Sequence, residues 1–295
     1  MFICKWSRFN FCLNRYNFNM KKIFFTLIIL LFASVLIVSL SNSSYLQMYV
    51  YVNFLNEKSS LENYFFEDTF IPYRGSVFIS NNILNSSDNS TFISIESIPD
   101  NPRTMYDRRN NGSWITVTPF LFEAKFSDGT QIEVQVNNEF ENKTNAEKVA
   151  MRYLEAIGRL PELFRKDVET VWIHKGNESF GGGNNNILIH HDWGLELEKY
   201  GLLEEIFLHE AAHTSLDSYH SSSGGWIEAQ IADNGNFISD YAKEYPQRED
   251  VAETFPLCFA LKYKRDRLDN GIIQKIEKAI PNRIKYCNNV FENMN

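Results

Sequence analysis

Cysteine is scarce in this sequence. Cys4, Cys12, Cys258 and Cys287 are the only four in 295 residues. Neither the early nor the late pair has metal-site spacing, which argues against a cysteine-ligated ion. Positive charge is short as well. Against 37 acidic residues stand 29 basic ones, a net charge of −8, and nucleic-acid binding, which needs a basic patch, is not expected. No internal repeat is visible. Glycine and proline are sparse across 41–100, where Asn and Ser dominate ("NNILNSSDNSTF"). That stretch reads as a stalk or lead-in with some strand content, and having no cysteine it offers no thiol to latch a metal.

Acidic residues are missing altogether before position 23, where Lys5, Arg8, Arg15, Lys21 and Lys22 make residues 1–22 a basic tail. Ile23–Leu40 follows as an uncharged apolar run, just long enough to span a bilayer with the basic flank left cytoplasmic. Two expectations compete. The run is a signal anchor in a single-pass membrane protein, or translation starts at Met20 and the run is a cleaved secretory signal. Either places residues 41–295 outside the cytosol. Asn42, Asn85, Asn89, Asn111, Asn142 and Asn177 begin N-x-S/T triplets in keeping with this, though a chain rich in Asn, Ser and Thr produces such triplets by chance. In an oxidising space Cys258 and Cys287 can close a disulfide; two buried free thiols are the plain alternative.

What is abundant is core material, 44% apolar and 15% aromatic residues. "AKFSDGTQIEVQV" predicts a hairpin, with Asp128-Gly129 as the turn and alternation through Ile132, Val134 and Val136. "AEKVAMRYLEAIGRLP", 146–161, has helical spacing and stops at Gly158 and Pro161. "VETVWIHK" predicts a buried strand, and "FGGGNNNILIHHDW" a glycine-rich loop entering a short strand at Ile187–His190. A strand-rich half followed by a helix-rich half is the pattern of an α+β domain, here taken as 101–295.

The chemistry concentrates in "EEIFLHEAAHTSLDSYH", 204–220. Leu202, Ile206, His209, His213 and Leu216 share one helical face, so both imidazoles point the same way one turn apart and can meet one ion. Glu210, beside the first histidine, is placed to take a proton from water and return it to a leaving amine. The bland alternative is a partly buried helix with two satisfied histidines. A zinc site needs a third protein ligand and an open fourth position. The candidates are His220, Asp217 and, in "YPQREDVAETF", Glu249. Glu249 and Glu253 would share a face of a second helix begun by Pro246. The first would ligate and the second accept a hydrogen bond from a ligand histidine. A solvated acidic face is the alternative for that pair. Pro256 should kink or end the helix.

"HEAAHTSLD…FISDYAKEYPQREDVAETF" resembles the gluzincins, zinc metallopeptidases in which HExxH is followed by a glutamate on a downstream helix. Within them it is most similar to the catalytic domain of anthrax lethal factor and to the bacterial Pro-Pro endopeptidases, whose E-x-x-A-E signature "EDVAE" matches. A longer likeness, from roughly 103 to 288, is to secreted zincin-like proteins, and it carries fold and metal site but no substrate. The resemblance implies a small mixed sheet, an active-site helix and a helical C-terminal subdomain. It implies one Zn2+ per chain on His209, His213 and Glu249, with Glu210 as base and Glu253 behind a ligand histidine. Tyr241 would be the phenol that steadies the oxyanion, although it stands eight residues before Glu249 where the family has seven, which leaves Tyr245 as a rival. The function implied is endopeptidase cleavage of a peptide or protein substrate. The alternatives are a zinc amidase on a non-peptide linkage, such as one in a cell wall, and a non-catalytic binding protein on the same scaffold. The family's cleft is lined by an edge strand that substrate extends by strand addition; "NILIH" occupies the matching place, and Gly181–Gly183 are read either as room for close backbone approach or as a flexible loop.

Overall fold

The computed structural model describes residues 70–79 and 83–293. They form a mixed α+β body. Its strands are β1 (Phe92–Ser97), β2 (Arg103–Asp107), β3 (Ser113–Val117), β4 (Phe120–Phe126), β5 (Gln131–Val136), β6 (Thr170–His174), β7 (Gly181–Gly183) and β8 (Asn186–His190). Its helices are α1 (Lys143–Gly158), α2 (Glu162–Arg165), α3 (His191–Lys199), α4 (Leu203–Ser215), α5 (Asp217–His220), α6 (Gly224–Ala232), α7 (Asp240–Glu244), α8 (Asp250–Tyr263), α9 (Asn270–Ala279) and α10 (Pro281–Glu292).

Six strands make one sheet in the order β1-β4-β5-β6-β8-β7. β5, β6 and β8 are parallel to one another, while β1–β4, β4–β5 and β7–β8 pair antiparallel. The expected hairpin is β4–β5, and Gly129 supplies its positive φ of 87°. α1 starts at the cap of Asn142, whose side chain accepts from the Asn145 amide, and ends at Gly158 as its composition requires.

Alternation decides what each sheet face meets. Val171, Ile173, Ile187 and Ile189 enter the core, which they share with Leu154 and Ile157 of α1 and Phe207 and Ala211 of α4. The intervening Trp172, His174 and His190 face the β2–β3 hairpin, which lies over the other side: Trp114 packs on Trp172, and His174 hydrogen-bonds the Tyr106 carbonyl. α8 packs on α4, and α10 closes over α8 through the buried Arg283, which pairs with Asp250 at 2.7 Å and Asp233 at 3.1 Å.

Four expectations change. The edge strand is β7, not "NILIH", which lies inside the sheet between β6 and β7; its pairing partner is set by the glycine segment before it, which local pattern cannot show. α8 begins at Asp250, with Pro246 in the preceding turn. It also runs on through Pro256 to Tyr263, because burial on both sides of the proline holds the helix together. Finally, no helix among the described residues is long and apolar enough to cross a membrane, which corrects the single-pass placement. Ile23–Leu40, on which both the anchor and the signal reading rested, lies outside the described residues.

From Phe70 on, the stretch read as stalk or lead-in packs into the body. Tyr73, Val77, Ile79, Ile83 and Leu84 are core residues. The Val77 amide donates to Glu253 of α8 and the Ile79 amide to Glu205 of α4, each at 2.8 Å. Cys258 and Cys287 are buried free thiols.

Candidate functional site

α4 and α8 bring the separated residues together. His209 Nε2 and His213 Nε2 lie 3.2 Å apart. From the start of α8, Glu249 Oε2 approaches them at 3.7 and 3.2 Å. The donor atoms of His209, Glu210 and His213 all lie within 4.8 Å of one another. A tetrahedral zinc with bonds of about 2.0–2.1 Å has edges of about 3.3–3.4 Å between donors. The three observed separations are close to such edges, so the set fits one ion.

Each donor is aimed from behind. His213 Nδ1 bonds Asp217 Oδ2 at 2.7 Å. Glu249 Oε1 accepts from the Tyr241 hydroxyl at 2.9 Å and from Arg248 Nε at 2.7 Å, which leaves Oε2 for the histidines. The backbone carbonyl of Ala252 also acts on His209, favouring its protonated ring. Here the helix-interior proline acquires a purpose. Ala252 is four residues before Pro256, and a proline has no N–H to give the i−4 carbonyl. The Ala252 oxygen is thereby free of an amide partner and can favour a proton on the side of the His209 ring away from Nε2.

The charges follow from this arrangement. Burial, reinforced by the neighbouring His213, pushes His209 down to about 3, so it is neutral. Burial also opposes charge on His213, yet hydrogen bonds to Asp217 and Glu249 hold it up at about 10. Burial works against ionised Glu249, but the His213 contact outweighs it and brings the carboxylate to about 2. Two acceptors, His209 Nε2 and Glu249 Oε2, therefore converge on one imidazolium proton, an arrangement suited to exchanging that proton for a cation. Glu210 is raised by burial to about 7, partly offset by His213, Arg108 and a hydrogen bond from the Gly182 amide.

These groups open on a cleft of about 690 Å³. Glu210, Tyr241 and Arg248 line it with the three donors; Gly75, Ser76 and Phe78 come from the lead-in segment and form part of its wall. Tyr241 sits in the cleft, whereas Tyr245 does not line it and is 38% exposed. β7 roofs the cleft. A Cβ on Gly182 would stand 1.9 Å from the Glu210 carbonyl oxygen, so the strand seats on α4 only because that position is glycine.

Other candidates go elsewhere. His220 bonds the Tyr286 hydroxyl at 2.8 Å and stacks on Phe255, outside the cleft. Asp217 orients His213 in place of ligating. Glu253 Oε1 lies 3.5 Å from His209 Nδ1 but makes no hydrogen bond. Its other oxygen holds the Val77 amide and the Ser239 hydroxyl, so Glu253 ties the lead-in to α8. The Ala252 carbonyl and Gly182 escaped sequence reasoning. A proline four residues past a helical residue was the available signal for the first, and a glycine run before the histidine-bearing helix for the second.

Comparison with protein-family models, with curated proteins and with solved structures finds no match to the chain.

Proposed function

We propose that this chain is a zinc-dependent endopeptidase of the gluzincin type, acting on peptide or protein substrates with one zinc ion held by His209, His213 and Glu249. The observation that carries the reading is the convergence of those three donors at 3.2, 3.2 and 3.7 Å, with a buried carboxylate, Glu210, beside them in a cleft. The likeness of "HEAAH" and "EDVAE" to the gluzincins supports it. A structural ion has no use for an adjacent base, so Glu210 favours catalysis over a closed site.

When bound, the ion supplies a Lewis acid and acidifies water. The rest falls to the chain's own groups. Glu210, with a pKa near 7 in the metal-free protein, takes the proton of the attacking water on its carboxylate and delivers it to the leaving amine nitrogen. Tyr241 points its hydroxyl into the cleft beside Glu249, where it can donate to the carbonyl oxygen as negative charge grows there. β7, the last strand of the sheet, borders the cleft where the substrate chain would run.

The test is zinc content of the purified protein beside Glu249→Ala and His220→Ala, followed by hydrolysis of a peptide library with Glu210→Gln as the control. One zinc per chain, lost with Glu249 and kept without His220, together with cleavage abolished by Glu210→Gln, supports the reading. Loss of zinc on removing His220 overturns the ligand set, and zinc without any cleavage overturns the activity.

A further inference from the structure

β7 has two sides. It is the last strand of the sheet, and towards α4 it roofs the cleft just described. Towards the β2–β3 hairpin it borders a second groove of about 230 Å³, walled by Tyr106, Trp114, Trp172 and Leu188. Arg108, Gly182 and Gly183 line both. The glycine strand is therefore a wall common to two hollows.

The second hollow is aromatic and firmly built. Trp114 stands edge-on to Tyr106 and to Trp172, with ring centroids 5.4 and 5.6 Å apart. Trp172 and Leu188 point to this side because their strand neighbours Val171, Ile173, Ile187 and Ile189 occupy the core. Yet Trp114 remains 58% exposed, an apolar surface whose covering would be favourable. The volume lies below the ~300 Å³ at which drug-sized ligand sites begin and suits a single large side chain.

We propose that this groove is a specificity subsite for an aromatic or large aliphatic side chain of the substrate, an inference that rests on the peptidase reading above. A peptide running extended beside β7 turns successive side chains to opposite faces. Residues of one parity enter the cleft with Glu210; those of the other enter the groove of Tyr106, Trp114 and Trp172. Gly181–Gly183 carry no side chains to stand between the peptide and either hollow, and Arg108, whose guanidinium donates to Ser179 Oγ at 2.6 Å, borders both.

The experiment measures kcat/KM of the zinc-loaded full chain on peptides with Phe, Leu, Ala or Asp at each position, for the wild type and for Trp114→Ala. Thermal unfolding verifies that the variant is folded. The expected result is a position at which Phe exceeds Ala by on the order of tenfold or more, with Trp114→Ala bringing that ratio close to one, mainly through KM. No such position, or a ratio that Trp114→Ala leaves unchanged, overturns the subsite while cleavage itself still supports a peptidase. If no peptide is cleaved, isothermal titration of the Phe and Ala peptides separates the two ideas. Phe-selective binding weakened by Trp114→Ala keeps the groove and rejects the activity, and absence of such binding rejects the groove as well.

Discussion

Pro256 stands one helical turn beyond Ala252, and the carbonyl it leaves without an amide partner is the one that acts on His209, drawing the imidazole towards its protonated form. The proline weakens α8 as a helix and orients a residue of the site. Replacing it separates the two effects. Pro256→Ala restores an N–H that competes for the Ala252 oxygen and removes a helix-interior proline that costs about 3 kcal/mol. We expect the variant to unfold at higher temperature, yet to bind zinc roughly ten- to a hundredfold more weakly, as for other lost partners of a ligand histidine. Scanning calorimetry and chelator competition check the two signs. Stability and affinity moving in the same direction would refute the coupling.

Gly182→Ala should fail for a different reason. Its Cβ would lie 1.9 Å from the Glu210 carbonyl oxygen and 2.9 Å from His213 Cβ, both on α4. Overpacking of this kind costs about 1–3 kcal/mol, and here the backbone that must give way carries Glu210. We expect a lower melting temperature and reduced turnover. Gly224→Ala, where the added Cβ meets nothing within 4 Å, should leave both within error.

Much of the site was legible because helix periodicity is local. His209 and His213 share a face by their spacing alone, and the likeness to a known signature pointed to Glu249 across the intervening loop. What stayed hidden depends on contacts between distant segments. Nothing near "NILIH" reveals that the glycines before it fold back as the outer strand. Nothing near Pro256 reveals that the carbonyl behind it meets an imidazole from α4. The lead-in read as a stalk for its Asn and Ser content is tied down from Phe70 by amides that find Glu205 and Glu253, partners over a hundred residues away.

The two tyrosines are separable by activity. Tyr241 donates to Glu249 from within the cleft, while Tyr245 lies outside its lining. Tyr241→Phe should lower kcat by roughly a hundredfold or more with little change in KM, the pattern of a donor lost where charge develops. Zinc should remain bound, because Arg248 still holds Glu249 Oε1. Tyr245→Phe should be silent. Equal effects of the two substitutions would remove the catalytic assignment of Tyr241.

Buried histidines on the hairpin face give the fold its own acid sensitivity. His174 is fully buried, held by Asn137 at 2.9 Å and by the Tyr106 carbonyl at 3.1 Å. Burial lowers its pKa from 6.5 to about 4, against a partial pull upward from Asp107; the adjacent His190 is lowered too, chiefly by burial. A depressed pKa means that the unfolded chain binds the proton more readily than the folded one. Stability is therefore complete above pH 6.5 and falls as the unfolded state protonates, until the folded state follows near pH 4. Each pH unit in that window removes about 1.4 kcal/mol through His174, which accounts for roughly 2 kcal/mol between pH 7 and pH 5. Urea unfolding of the metal-free protein at those two pH values, beside His174→Gln, checks it. The variant starts less stable but should lose less on acidification, and an identical pH slope in both proteins would show that folding does not depress the His174 pKa.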